Sequence, residues 1–169
     1  MGTRGLFGYY HKGNFYVVYN HWDSYPSGLG EAILDEVLSI IKPTQLQSWI
    51  ERIDSIKVID PNTKPTPEDV KKTVGSHDLS VSDQSLDDWY CLLRGCQGSL
   101  SAVLCSGYLL NHTQQSGEPD WEEYSYILNL DSNSFDYYKY DTLAYSEKFE
   151  LLDGKFFERM MEKRPEQDE

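Results

Sequence analysis

The chain has 169 residues, 39% of them apolar and 25% charged, which allows one core of its own and argues against wholesale disorder. Fifteen Lys and Arg stand against 28 Asp and Glu, a net charge of −13. So acidic a surface, with no basic cluster to offset it, repels phosphate backbones and anionic membranes, and excludes neither a small molecule nor a protein as partner.

The opening stretch MGTRGLFGYY has no apolar h-region and no small-residue cleavage site, so it does not read as a signal peptide. Leu6 stands where a myristoylation signal wants Ser or Thr. Residues 1–20 predict a β-hairpin: GLFGYY and NFYVVYN are aromatic and β-branched, with HKGN as the turn. From Leu29 the period changes, and Leu29, Ile33, Val37, Ile40 and Ile41 mark a helix that Pro43 ends. Thr44 and Gln47 have capping-box spacing before a second helix carrying Leu46, Trp49, Ile50 and Ile53.

Residues 57–85 are polar and carry Pro61, Pro65 and Pro67, which predicts a long surface connection. One short helix starts within it, with Thr66 as cap and Pro67 at its first position, ending near Gly75. A third helix is expected from a cap at Ser85 through Leu86, Trp89, Tyr90 and Leu93 to Gly95. LSAVLCSGYLL, residues 100–110, is too short to span a bilayer, and its periodicity leaves strand and buried helix both open. EYSYILNLD and SFDYYKYD flank a DSNS turn, with Tyr124, Tyr126, Leu128 and Leu130 on one face, and a further strand is expected near 143–151. The order implies an α+β fold over residues 1–162, its terminal hairpins sharing an antiparallel sheet packed by helices. Residues 163–169 read as a disordered acidic tail.

Three cysteines, an odd count without a secretory signal, suggest reduced thiols and a cytoplasmic protein. Cys91, Cys96 and Cys105 lack CxxC spacing, and none of the four histidines lies three or four residues from one of them. Buried thiols are expected, with no metal and no cofactor. No GxGxxG, Walker, HExxH or GxSxG motif is present. The sharpest constellation is YNHWDSYPSGLG, residues 19–30, set beside the start of the chain. A hairpin returns the end of its second strand to the start of its first, so Thr3 and Arg4 should neighbour Asn20, His21 and Asp23. With Tyr25, and with Gly28 opening a helix whose free N–H groups attract anions, these residues are the candidate ligand contacts. The same residue types also build ordinary turns, in which Asp23 accepts backbone N–H groups and His21 is a half-buried turn residue.

MGTRGLFG…YVVYNHWDSYPSG resembles the opening of the choloylglycine-hydrolase and penicillin-V-acylase group of N-terminal-nucleophile hydrolases, which begin Met-Cys-Thr and run through a hairpin to an Arg-Asn-x-Asp element. YSYILNLDSNSFDYYKYD is similar to their late hairpin. The resemblance covers about 45 residues, the stretches just quoted. It implies a fold of that type, with Asp23 in the place of the aspartate that holds the free terminal amine and Asn20 in that of the neighbouring asparagine. Gly2 occupies the place of the nucleophilic cysteine, and the spacing is N-x-x-D instead of N-x-D. The opening also resembles that of a group of small uncharacterised proteins with an MGTRG…YNxxDSYPxGLG start, a likeness that implies no function. Three functions follow as expectations. The first is a non-catalytic module binding a small polar ligand near the first hairpin. The second is an amide hydrolase with a non-standard nucleophile, either Thr3 exposed by further trimming or one of the cysteines. The third is a protein-interaction module whose 13 tyrosines and 4 tryptophans form an aromatic surface.

Overall fold

The computed structural model describes residues 3–163 and is an α+β molecule built on a five-stranded sheet. Strands β1 (Gly5–His11) and β2 (Asn14–Asn20) form the first hairpin, closed by Lys12 and Gly13, both at positive φ. Strands β5 (Tyr124–Asn129) and β6 (Ser134–Lys139) form the second, and β7 (Thr142–Lys148) adds an edge to it. The order is β2-β1-β5-β6-β7. The two hairpins do share one sheet, but they meet through a parallel seam, β1 on β5, with Phe7 opposite Tyr126. Asp131 clasps the hairpin turns together, its carboxylate accepting the N–H groups of Lys12 (2.8 Å) and Gly13 (2.9 Å).

Alternation sorts the strands onto two faces. Phe7, Tyr9, Val18, Tyr126, Leu128, Phe135 and Tyr137 join the main core under the helices, while Leu6, Val17 and Ile127 form a smaller cluster on the reverse face under Trp121 and Tyr138. Helix α1 (Glu31–Ile40) buries Ile33, Leu34, Val37 and Ile40 in that core, the face expected from the period. Helix α2 (Pro43–Ser55) follows at once. Its cap is the backbone of Lys42, with Pro43 as the first helical residue, so Thr44 does not cap it. Between β3 (Lys57–Ile59) and helix α3 (Pro67–Lys72) the chain runs over the surface. Thr66 and Asp69 cap α3 reciprocally.

The third expected helix shrinks to one turn, α4 (Trp89–Leu92), capped by Asp88 and not Ser85. Upstream, Ser82 and Gln84 adopt positive φ and Leu86 is exposed, so the backbone there is a run of turns. Residues 100–110 are helix and strand in succession. Helix α5 (Leu100–Ser106) ends at Gly107, which takes the left-handed conformation (φ 77) that a side chain would strain, and β4 (Tyr108–Leu110) pairs with β3 in a two-stranded parallel sheet. The carboxylate of Glu36 receives the first N–H groups of α5, Leu100 at 2.9 Å and Ser101 at 2.8 Å. Helix α6 (Phe156–Lys163) was not legible in the sequence, and it buries Phe156, Phe157 and Met160 against Phe135, Tyr126 and Tyr137. Of the expected tail, Lys163 ends α6, and residues 164–169 lie outside the described residues. Cys91 and Cys96 are buried, as expected of the thiols, whereas Cys105 is exposed.

Candidate functional site: a cleft along the edge of the first hairpin

The motif at residues 20–30 turns out to be bonded largely to itself. Asn20 is buried, and its amide donates to the Trp22 carbonyl (2.7 Å) and to Ser24 Oγ (2.9 Å). Ser24 is fully buried, and its carbonyl accepts the Tyr126 hydroxyl (2.7 Å), which ties the motif to the second hairpin. Asp23 sits at φ 51 with its carboxylate accepting the Tyr25 hydroxyl (3.2 Å) and its carbonyl accepting the Leu29 N–H (2.8 Å). The Asp23 charge beside it raises the pKa of the Tyr25 hydroxyl. A side chain on Gly28 would run into the Asp23 carbonyl oxygen, so that position requires glycine. Residues Pro26–Gly30 form a single wide turn leading directly into α1.

The register brings Thr3 and Arg4 beside this turn, since Gly5 pairs with Asn20. They line a concavity of about 500 Å³ with His21, Trp22, Glu122 and Tyr140. Asp23 does not join them, because its carboxylate faces Tyr25. Of the seven candidate residues, then, Thr3, Arg4 and His21 share a depression, while Asn20, Asp23, Tyr25 and Gly28 make the turn beside it.

A second, less polar cleft of about 420 Å³ lies along the free edge of β2. Val18 and Tyr19 supply one wall, Tyr90, Leu93 and Gln97 another, and Leu110, His112 and Asp120 a third. Its origin is local. β2 is an edge strand, whose outward N–H and C=O groups call for a cover. Here β4 runs on into Asn111, whose carboxamide accepts the Val17 N–H (2.9 Å) and donates to the Phe15 carbonyl (3.3 Å). The His112 N–H then takes the Val17 carbonyl (2.8 Å). Outward-facing backbone groups recur every second residue, so the same alternation turns the N–H and C=O of Tyr19 outward, beyond this cover and at the cleft. Gln97 closes the far end by accepting the His21 N–H (3.2 Å).

Tyr19 and His21 join the two depressions, with the Tyr19 hydroxyl 2.7 Å from His21 Nδ1. Burial, outweighing the nearby Arg4, raises the Tyr19 pKa, so the phenol stays neutral. The Tyr19 ring lies near three others, those of His112 with centroids 5.3 Å apart, His21 at 5.8 Å and Tyr90 at 6.4 Å. His112 Nε2 is buried without a hydrogen-bond partner, 3.7 Å from carboxylate oxygens of both Asp120 and Glu122. Among the described residues no group of three or more His, Cys, Asp or Glu is placed to hold a metal ion, and no helix is long and apolar enough to cross a membrane. Tyr19, Tyr90, Gln97, His112 and Asp120 were not singled out by sequence. They lie in four separate segments, and only the covering of the β2 edge by residues 111–112 assembles them.

No protein-family model matches this chain, and neither a curated protein nor a solved structure matches it.

Proposed function

We propose that the protein is a non-catalytic module that binds a small molecule in the cleft beside the first hairpin. The observation that carries this reading is the pairing of apolar walls with a polar group that makes no hydrogen bond: Val18, Leu93 and Leu110 line the cleft together with His112, whose buried Nε2 has no hydrogen-bond partner. An apolar cleft lined only by satisfied groups would be ordinary packing. The hydrolase reading keeps one point of support, the place of Thr3 in the concavity next to Arg4. Intact mass separates the two, since loss of Met1 and Gly2 together is what a Thr3 nucleophile requires.

The binding reading is tested by a fragment screen read as thermal shift, run in parallel on the parent and on Leu110→Trp, which fills the cleft. Fragments that stabilise the parent and not the filled variant support it. Hits that stabilise both equally place binding elsewhere and overturn it.

A further inference from the structure

We infer that the cleft takes a ligand bearing an ammonium group, with its apolar body along Val18, Leu93 and Leu110 and its cationic end between the Tyr19 and Tyr90 rings and the Asp120 carboxylate. This rests on the ligand-binding reading above and adds the charge of the ligand to it.

Three observations converge. Tyr19, Tyr90 and His112 bring three rings into the lining, one from each wall, with Tyr19 tilted at 46° to Tyr90 and at 39° to His112, and the faces of such rings attract cations. Asp120 is the one carboxylate in the lining, which contains neither Lys nor Arg; Arg4 and Arg94 act on the Tyr19 hydroxyl from outside it. Two carboxylates, Asp120 and Glu122, flank the single imidazole of His112 and outnumber it in charge at Nε2. An anionic ligand would meet Asp120 at the mouth, and a wholly apolar one would leave Asp120 unused. A cation on an apolar stem uses both halves of the site.

The test compares three molecules of one shape and different charge, titrated into the full chain by NMR. They are choline, neohexyl alcohol (a quaternary carbon in place of the nitrogen) and tert-butylacetate. Choline should bind about tenfold tighter than neohexyl alcohol, the difference cation–π and carboxylate contacts give at a partly desolvated site, and tert-butylacetate weakest. Asp120→Asn and Tyr90→Leu should each remove most of the choline preference, while Tyr90→Phe keeps it. Asp120 is largely exposed, so its variant folds irrespective of what Tyr90→Leu does. Equal binding of choline and neohexyl alcohol in the cleft overturns the ammonium inference and leaves the binding reading intact. So does tighter binding of tert-butylacetate. Failure of all three to perturb the cleft overturns the ammonium inference together with the reading on which it rests.

Discussion

Asp69 shows how a single side chain can hold three elements. Its carboxylate accepts the Thr66 N–H (3.0 Å) that starts α3, the buried Tyr108 hydroxyl of β4 (2.8 Å) and the Lys57 ammonium of β3 (3.4 Å). The Thr66 N–H, more than any other partner, holds its pKa down to about 2. A depressed carboxyl pKa contributes stability that is complete above the ordinary value of about 4 and is lost as pH falls toward the folded value. Asp69→Asn should therefore cost about 1–3 kcal/mol at neutral pH, since charge-assisted bonds become neutral ones. Melts recorded between neutral pH and acid should show the variant losing less stability on acidification than the parent. An unchanged acid profile would mean that Asp69 is not the titrating group. Glu36 plays a related part at α5, where its carboxylate meets two free N–H groups and the Ser99 hydroxyl. Glu36→Gln keeps the shape and should cost about 1 kcal/mol in urea unfolding, the scale of a charge at a helix N-terminus.

At the scale of elements, α6 is the piece whose weight was least visible in advance. Phe156 is fully buried, stacked edge-on against Phe135 and Phe157, and Arg159 pairs with Glu147 of β7 (2.8 Å). Phe156→Ala should cost about 3–5 kcal/mol by urea unfolding, the usual price of a vacated aromatic site in a core. A cost under about 1 kcal/mol would show that α6 is only laid on the surface. The sequence concealed this helix because its apolar residues, Phe156, Phe157 and Met160, occupy barely one turn and follow directly on a strand signal. Long periodic elements were legible: both hairpins, α1 and the Thr66 cap. Short ones were not, since α4 depends on where a turn-rich stretch stops, and residues 100–110 divide only because Gly107 accepts a left-handed backbone. The turn chemistry of Asn20, Asp23 and Gly28 was also readable, as local bonding within a dozen residues. The cleft was not, because its walls come from segments far apart in sequence.

For the whole molecule, the parallel seam between β1 and β5 joins the two ends of the chain into one sheet, so neither hairpin completes a core alone. A chain lacking residues 3–20 should lose cooperative unfolding, and retention of a sharp transition would show the second hairpin to be a unit by itself. That same seam fixes β2 as an outer strand, and the segment from Asn111 to Asp120 then covers only part of its edge. The cleft is thus a consequence of the topology, and under the proposed function it is occupied by a ligand. The most direct measurement is an amide-resolved NMR map of the full chain with the stabilising fragments. Shifts should cluster at Tyr19, Tyr90, Leu93, Gln97 and residues 110–113, and be abolished in Leu110→Trp. Shifts confined to the turn at residues 22–30, or spread without pattern over the surface, would contradict the proposed function.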